Sequence, residues 1–499
     1  MKKILYTTMI IAGTTFFGCN KFLDKYPLDS VNTENYWKTE SDAISAINGA
    51  YQPLQWPKLY NMRIWTTDIW AGNSVVGAGG GTDGIETVDI ANFVTTTDNA
   101  AALDVWRGPA PGILRSNLVI ENVPKMNISE SVKNRVIGEA KFLRGLYYFI
   151  LVQLFGDVPL ITVAQTPADD LRPQRTSKEL IYAQIIDDLK EAGNLLPDRN
   201  QYASKDIGRA SKGSAKGLLA KVYVTLGRYE DAIPLFEEVN ALGYKLNADY
   251  SDNFRIATEN SIESLFEIQY IGKTSFGFWD NENQASWLST FMGPRNSNMV
   301  AGAYGWNQPT QEFVSSYENG DLRKDKTILY AGGPSFDGQA YQASYSTTGY
   351  NVRKFLVTKT ESPEYDTNPL NFPVLRFSDI LLLWAEALNE VGRTSEAQAI
   401  ATDIHTGGPL NRVRLRAGLG NVTGLNQADL REKIRKERRM ELAFEGHRWF
   451  DLIRYDNGNY ALEFLHSIGK TNATNKHLLL PIPQKEIEAN PNLSQNPGY

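Results

Sequence analysis

Four carboxylates, Asp68, Asp83, Asp280 and Glu282, lie among aromatic residues in two loop-rich stretches, and that mixture bears on two chemistries. A pair of carboxylates flanking a glycosidic bond can cleave it, and such a pair needs no local motif. The same groups beside indole and phenol rings can instead hydrogen-bond sugar hydroxyls while the rings stack on apolar C–H faces. The aromatic supply is large, with 10 Trp and 24 Tyr in 499 residues. Trp65 and Trp70 flank Asp68 in the first stretch. Trp279, Trp287 and Trp306 accompany Asn281 in the second. Binding without cleavage is the reading taken, with these seven residues as the candidate ligand contacts, because other catalytic signatures are missing. The four histidines stand far apart, with no H-E-x-x-H and no carboxylate at ligand spacing. There is no G-x-S-x-G elbow and no phosphate loop, so neither a metal nor a cofactor is expected. Gly79 to Gly84 satisfies G-x-G-x-x-G in form. The I-E-T-V-D-I that follows alternates like a strand, where a dinucleotide site needs a helix, so the glycines read as a surface loop.

A second concentration of charge runs from Leu430 to Tyr455. Asn426 can cap a helix here, with Asp429 three residues on. Glu437, Glu441 and Glu445 recur every four residues, and Arg435 and Arg439 are also four apart. Like charges at that spacing cost an isolated helix roughly 0.2–0.5 kcal/mol per pair. Compensation is expected from other segments, or crosswise through Arg438–Glu441 and Glu445–Arg448. A buried ion network of Arg435, Glu437, Arg438, Glu441 and Glu445, locking two parts of the fold, is favoured over a solvated helix. Gly446 reads as a stop or kink.

Around these groups stands an ordinary folded body. It is 42% hydrophobic and 22% charged, with net charge −6 and no long basic cluster outside the 430–454 helix, which argues against nucleic acid. The single cysteine, Cys19, ends a basic then apolar leader, Met1 to Gly18, too short to span a membrane stably. A small residue followed by cysteine there is similar to a bacterial lipobox, so residues 1–18 read as a signal peptide and Cys19 as the lipidated N-terminus. Residues 19–38 form a tether.

The remainder reads as helices. They start after Thr39, over 110–155, and after a capping box at Thr176 to Glu179. Residues 53–108 look irregular. Ala220, Tyr223, Gly227, Tyr229, Ala232 and Phe236 fall at the spacing of a tetratricopeptide repeat, and Ala385, Leu388, Gly392, Thr394, Ala397 and Ala401 repeat it with the aromatics lost. The fold class is therefore mainly α, a bundle of TPR-like helix pairs. An N-terminal part, 39–244, carries the loop insert 53–108. A C-terminal part, 245–499, carries a loop-rich, partly β aromatic insert at about 270–376.

Several long motifs share a resemblance. Y-W-K-T-E-S-D-A-I-S-A-I-N-G-A-Y, E-A-K-F-L-R-G-L-Y-Y-F-I-L-V-Q-L-F-G-D-V-P-L-I, F-P-V-L-R-F-S-D-I-L-L-L-W-A-E-A-L-N-E and E-R-R-M-E-L-A-F-E-G-H-R-W-F-D-L-I-R occur in the order found in SusD/RagB proteins. The resemblance implies a non-catalytic outer-membrane lipoprotein facing the cell exterior. It implies a SusC-like TonB-dependent transporter as partner and an oligosaccharide as ligand, or a peptide in the RagB branch. Glycan sites of that family lie in the N-terminal loop and the middle insert, but no individual ligand residue carries over.

Overall fold

The computed structural model describes residues 36–77, 83–166, 168–272 and 276–499. The leader, the tether to residue 35 and Cys19 lie outside the described residues, as do Gly79, Gly80, Gly81 and Thr82. The helical body begins with α1, Glu40–Tyr51, where Thr39 and Asp42 form a reciprocal capping box. It continues with α2, Ala110–Asn122, and α3, Glu130–Phe155. Next come α4, Lys178–Leu195, α5, Lys212–Thr225, and α6, Tyr229–Ala241. Each of α2 to α6 packs on the helix before it, and α1 packs on α2 and α3. A buried pair fastens α3 to α4: Arg144 donates twice to Asp188, at 2.7 Å each.

The helix pair α5–α6 is the repeat unit read from the sequence. Ala220 and Tyr223 sit on α5, Ala232 and Phe236 on α6, all buried, and Gly227 makes the turn at φ +69°. The degraded copy keeps only half of this. Its first helix, α7, Phe377–Glu390, packs against α6, but its second spans just Thr394–Ala397. With Thr394 and Ala401 where the first unit has Tyr229 and Phe236, the second helix lacks the apolar face that would hold it.

Three expectations need correction. I-E-T-V-D-I is helix Ile85–Ala91, not a strand, because Thr87 and Ile90 both turn inward. Residues 53–108 are not structureless, since helix Ala100–Arg107 follows. The N-cap of α4 is Ser177, while Thr176 pairs with Val158 across a bridge.

Among the described residues six short strands tie the loops down: β1, Ser74–Val75; β2, Ser264–Ile268; β3, Gln308–Pro309; β4, Ile328–Tyr330; β5, Tyr350–Val352; β6, Phe372–Arg376. They form three antiparallel pairs, β1–β3, β2–β6 and β4–β5. The β2–β6 pair, with Ser264 opposite Arg376, closes the neck of the central insert. The β1–β3 pair stitches that insert to the N-terminal loop.

Helix α8, Gln427–Glu441, packs on α7, and Asn426 accepts from the Asp429 N–H at its start. It ends before Gly446, through a turn in which Phe444 adopts φ +66°. The buried network is present, with partners drawn from distant segments. Glu441 binds Arg323 at 3.1 Å and Arg376 at 2.9 Å, and Arg416 at hydrogen-bonding distance. Glu445 binds Arg376 at 2.7 Å and Lys354 at 2.8 Å. Glu437 binds Arg323 at 2.6 Å and Arg414 at 2.8 Å. Arg323 and Lys354 belong to the insert and Arg376 to its neck, so α8 is ionically fastened to the insert. The crosswise pairs do not form. Arg438 turns to Asp379 and Asp451, at 2.7 and 3.1 Å. Arg435 stands apart, on Glu432 and Asp456 between the rings of Tyr455 and Tyr460.

Candidate functional site

The two loop-rich stretches meet in a two-layered aromatic stack. The lower layer is buried. Phe291 lies 6.0 Å from Trp65 and 5.5 Å from Trp306, ring centre to ring centre, and Trp65 lies 6.5 Å from Trp306. Phe278 joins the layers, 4.9 Å from each of Trp279, Trp287 and Phe291. The upper layer is open. Trp279 is 57% exposed. Tyr304, 5.5 Å from Phe291, and Tyr365, 5.3 Å from Trp287, are also exposed. Burial first, then the charges of Tyr365 and Asp366, push the Tyr304 phenol above its ordinary pKa.

Trp279 is held from two sides. Besides Phe278, the Arg63 guanidinium lies 5.7 Å from its ring. Arg63 is itself buried and fixed, by Asp104 at 2.7 Å and Glu86 at 3.0 Å. The loop behind is pinned through the Asn281 carbonyl, which accepts from Gln52 at 3.1 Å and from the Trp56 indole at 3.0 Å. Gly84, at φ +61°, lets the chain pass over Trp306, where a Cβ would stand 2.2 Å from the indole. An indole fixed in this way presents its flat surface with little rotamer freedom left to lose, which is what a stacking platform needs.

The structure revises the candidate residues. Trp279 is an open ring, and Asn281 is exposed beside it. Trp65, Trp70, Trp287 and Trp306 are core residues, each 5% exposed or less, and such rings cannot stack on a ligand. Trp70 packs on Trp449 at 6.4 Å. Asp68 is fully buried and structural. It accepts from Asn73 Nδ2 at 2.9 Å and the Gly446 N–H at 2.8 Å, and burial pushes its pKa up to about 6. The other loop carboxylates take separate local roles. Asp83 faces Arg295 at 3.6 Å, and Asp280 accepts from the Glu282 N–H at 3.1 Å. Tyr304 and Tyr365 both lie outside the seven candidates, and the sequence reading named no residue near Tyr365. Its segment, E-S-P-E-Y-D-T-N-P, is as turn-rich as the stretches that drew attention, so composition alone held the signal. Among the described residues no cluster of His, Cys, Asp and Glu is arranged to hold a metal.

A family model described as "SusD family" matches residues 242–499, slightly more than half the chain. The chain belongs to the SusD family. A second model, described as "Starch-binding associating with outer membrane", matches residues 21–224 of this SusD family chain. It is 28% identical to SusD-like protein P2 of Formosa agariphila, over 99% of each chain. It is 23% identical to the starch-binding protein SusD of Bacteroides thetaiotaomicron, covering 78% of this chain and 76% of that one. A solved laminarin-binding SusD-like protein superposes with TM-score 0.80 at 28% identity, over 93% of this chain and all of that one. Surface glycan-binding protein A of B. thetaiotaomicron, in complex with laminarihexaose, superposes at 0.76 with 25% identity, over 92% and 99%. Three of these named relatives are starch-, laminarin- or glycan-binding proteins. No helix among the described residues is long and apolar enough to cross a membrane.

Proposed function

We propose that this SusD family protein binds a nutrient oligosaccharide on the ledge formed by Trp279, Tyr304 and Tyr365 and delivers it to a SusC-like TonB-dependent transporter. In this reading it is anchored to the outer membrane through lipidated Cys19 and faces outward. The observation that carries the proposal is the open Trp279 indole, fixed by Phe278 and Arg63 on loops that a folding requirement alone would have buried. Flat rings at an angle to one another suit the C–H faces of successive sugar units. The glycan ligands of the laminarin-binding and laminarihexaose-bound relatives support the same class of ligand.

The test is a glycan and peptide array on the full-length protein in detergent, with mass spectrometry of the products. Glycan binding without breakdown is expected, together with a loss of about thirtyfold in affinity for Trp279→Ala at unchanged stability. Binding to peptides alone would assign the protein to the RagB branch. Full affinity in Trp279→Ala would move the site elsewhere.

A further inference from the structure

A second concavity is built for a polar ligand and is not part of the ledge. The end of α1, the 205–209 loop and β2 enclose a cleft of about 450 Å³, within the ~300–1,000 Å³ span of small-ligand sites. Its walls carry five carboxamides, Asn48, Gln52, Gln55, Gln269 and Gln284. Four of them are held by neighbours. Gln269 exchanges two hydrogen bonds with Asn260, at 2.8 and 3.0 Å, and accepts a third from Asn371 at 3.0 Å. Gln55 Nε2 donates to the Gln269 carbonyl at 2.7 Å. Gln52 spans from Arg115 to the Asn281 carbonyl. Asn48 Oδ1 accepts from Arg209 at 2.9 Å.

What this mutual fixing leaves over is suited to recognition. Gln55 Oε1, Asn48 Nδ2 and the whole Gln284 amide make no side-chain hydrogen bond among the described residues. Two opposite charges, the exposed Lys205 ammonium and the buried Glu267 carboxylate, also line the cleft. The Glu267 carboxylate accepts from the Asn260 N–H and Asn371 Nδ2, and Arg209 is paired with Asp206 and Glu139. Tyr51, Leu54 and Ile207 add apolar wall. Fixed neutral amides that both donate and accept, beside a small apolar surface, match a sugar, whose hydroxyls do both and whose ring faces are apolar. Holding Gln55 and Asn48 beforehand lowers the entropy lost on binding, while the Gln284 amide has still to be ordered by the ligand.

We infer that this cleft is a second saccharide-binding site, for a short stretch of a neutral glycan, separated from the ledge by residues 279–284. Trp279 belongs to the ledge and Gln284 to the cleft. Only the class of ligand rests on the functional reading above.

The test titrates full-length protein in detergent with neutral hexasaccharides of β-1,3, β-1,4 and α-1,4 linkage, by calorimetry. Four forms are compared: wild type, Trp279→Ala, and Trp279→Ala combined with Gln284→Ala or with Ile207→Arg. Both cleft substitutions are at positions with water access, and matched thermal unfolding checks that the fold is intact. The expected result is two sites in wild type and one residual site in Trp279→Ala, weakened about tenfold or more by either cleft change. Binding wholly abolished by Trp279→Ala overturns the cleft and leaves the ledge standing. A residual site indifferent to both cleft changes does the same. A residual site competed by unstructured peptides but by no free sugar overturns the saccharide assignment. No binding of any glycan by wild type overturns the functional reading and the cleft together.

Discussion

Glu441→Gln keeps the shape of the side chain and removes one charge from the interior. In the wild type, six carboxylates (Glu263, Glu318, Asp321, Glu437, Glu441, Glu445) face six cations (Arg323, Lys354, Arg376, Arg414, Arg416, Lys433) in one connected set. The substitution leaves three buried guanidiniums competing for the rest. Breaking a buried ionic contact from one side costs about 3–5 kcal/mol, because the remaining charge stays desolvated. Unfolding entropy near 60 °C is about 2.1 cal/mol/K per residue. For 499 residues unfolding as one unit that is about 1 kcal/mol/K, so Tm should fall by about 3–5 °C. Glu130→Gln is the control. Its side chain is 76% exposed on Lys133, and an exposed pair contributes only about 0–1 kcal/mol. The effect also has a pH signature. Burial pushes the Glu441 carboxyl up, but Arg416, Arg376 and Arg323 pull it down further, and it ends well below the carboxylate range. A depressed folded-state value stabilises the fold above the unfolded value, about 4.3, and that stabilisation is lost as pH falls. The gap between wild type and Glu441→Gln should be full at pH 7 and shrink below about pH 4. Differential scanning calorimetry across pH measures both. A Tm within about 1 °C of wild type at pH 7, matching Glu130→Gln, would refute the reasoning.

Trp287→Ala should cost about 3–5 kcal/mol of stability, visible in urea unfolding, whereas Trp279→Ala should leave the midpoint unchanged; equal midpoints would contradict the layering. Gly84→Val places a branched Cβ against Trp306 at positive φ and should cost about 1–3 kcal/mol with altered near-ultraviolet tryptophan dichroism; an unchanged spectrum would count against that contact. Burial first, then Lys221, pushes the His447 imidazole down to about 4, so its NMR signals should not titrate between about pH 5.5 and 8. The sign is fixed: below about 6.5 the unfolded chain takes up the proton first, and the fold loses stability as pH falls. Cys19→Ala should abolish metabolic fatty-acid labelling; retained label and membrane association would remove the anchor.

Local physics made much of the architecture readable. The α5–α6 unit announces itself because small residues, a turn glycine and large aromatics must alternate at fixed spacing for two helices to pack. The like charges recurring every four residues were equally telling, since Glu437 and Glu441 on α8 and Glu445 just past its end make no sense on a solvated helix. Their partners were not readable, because Arg323 and Lys354 lie about a hundred residues away and only the fold brings them close. The tryptophans show the same limit. Trp279 and Trp287 stand in one loop with similar neighbours, yet one caps the stack and the other lies beneath it. Burial of a loop side chain depends on what covers it, here Phe278 and Tyr365, and neither the spacing nor the composition of the segment encodes that cover. The strand-like alternation of I-E-T-V-D-I misled for a related reason: six residues are too few for period to separate strand from helix.

The fastening of the central insert to α8 has a consequence for transplantation. A designer wishing to move the ledge from one such protein to another would naturally cut at the β2–β6 neck, where two strands run side by side. That cut carries away Arg323 and Lys354, the two cations that answer Glu437, Glu441 and Glu445 from inside the graft. A donor segment with neutral residues at those places would leave acidic side chains buried in the host with too few counterions. The chimera would fail in its scaffold, far from the exchanged surface, however well the new ledge was shaped.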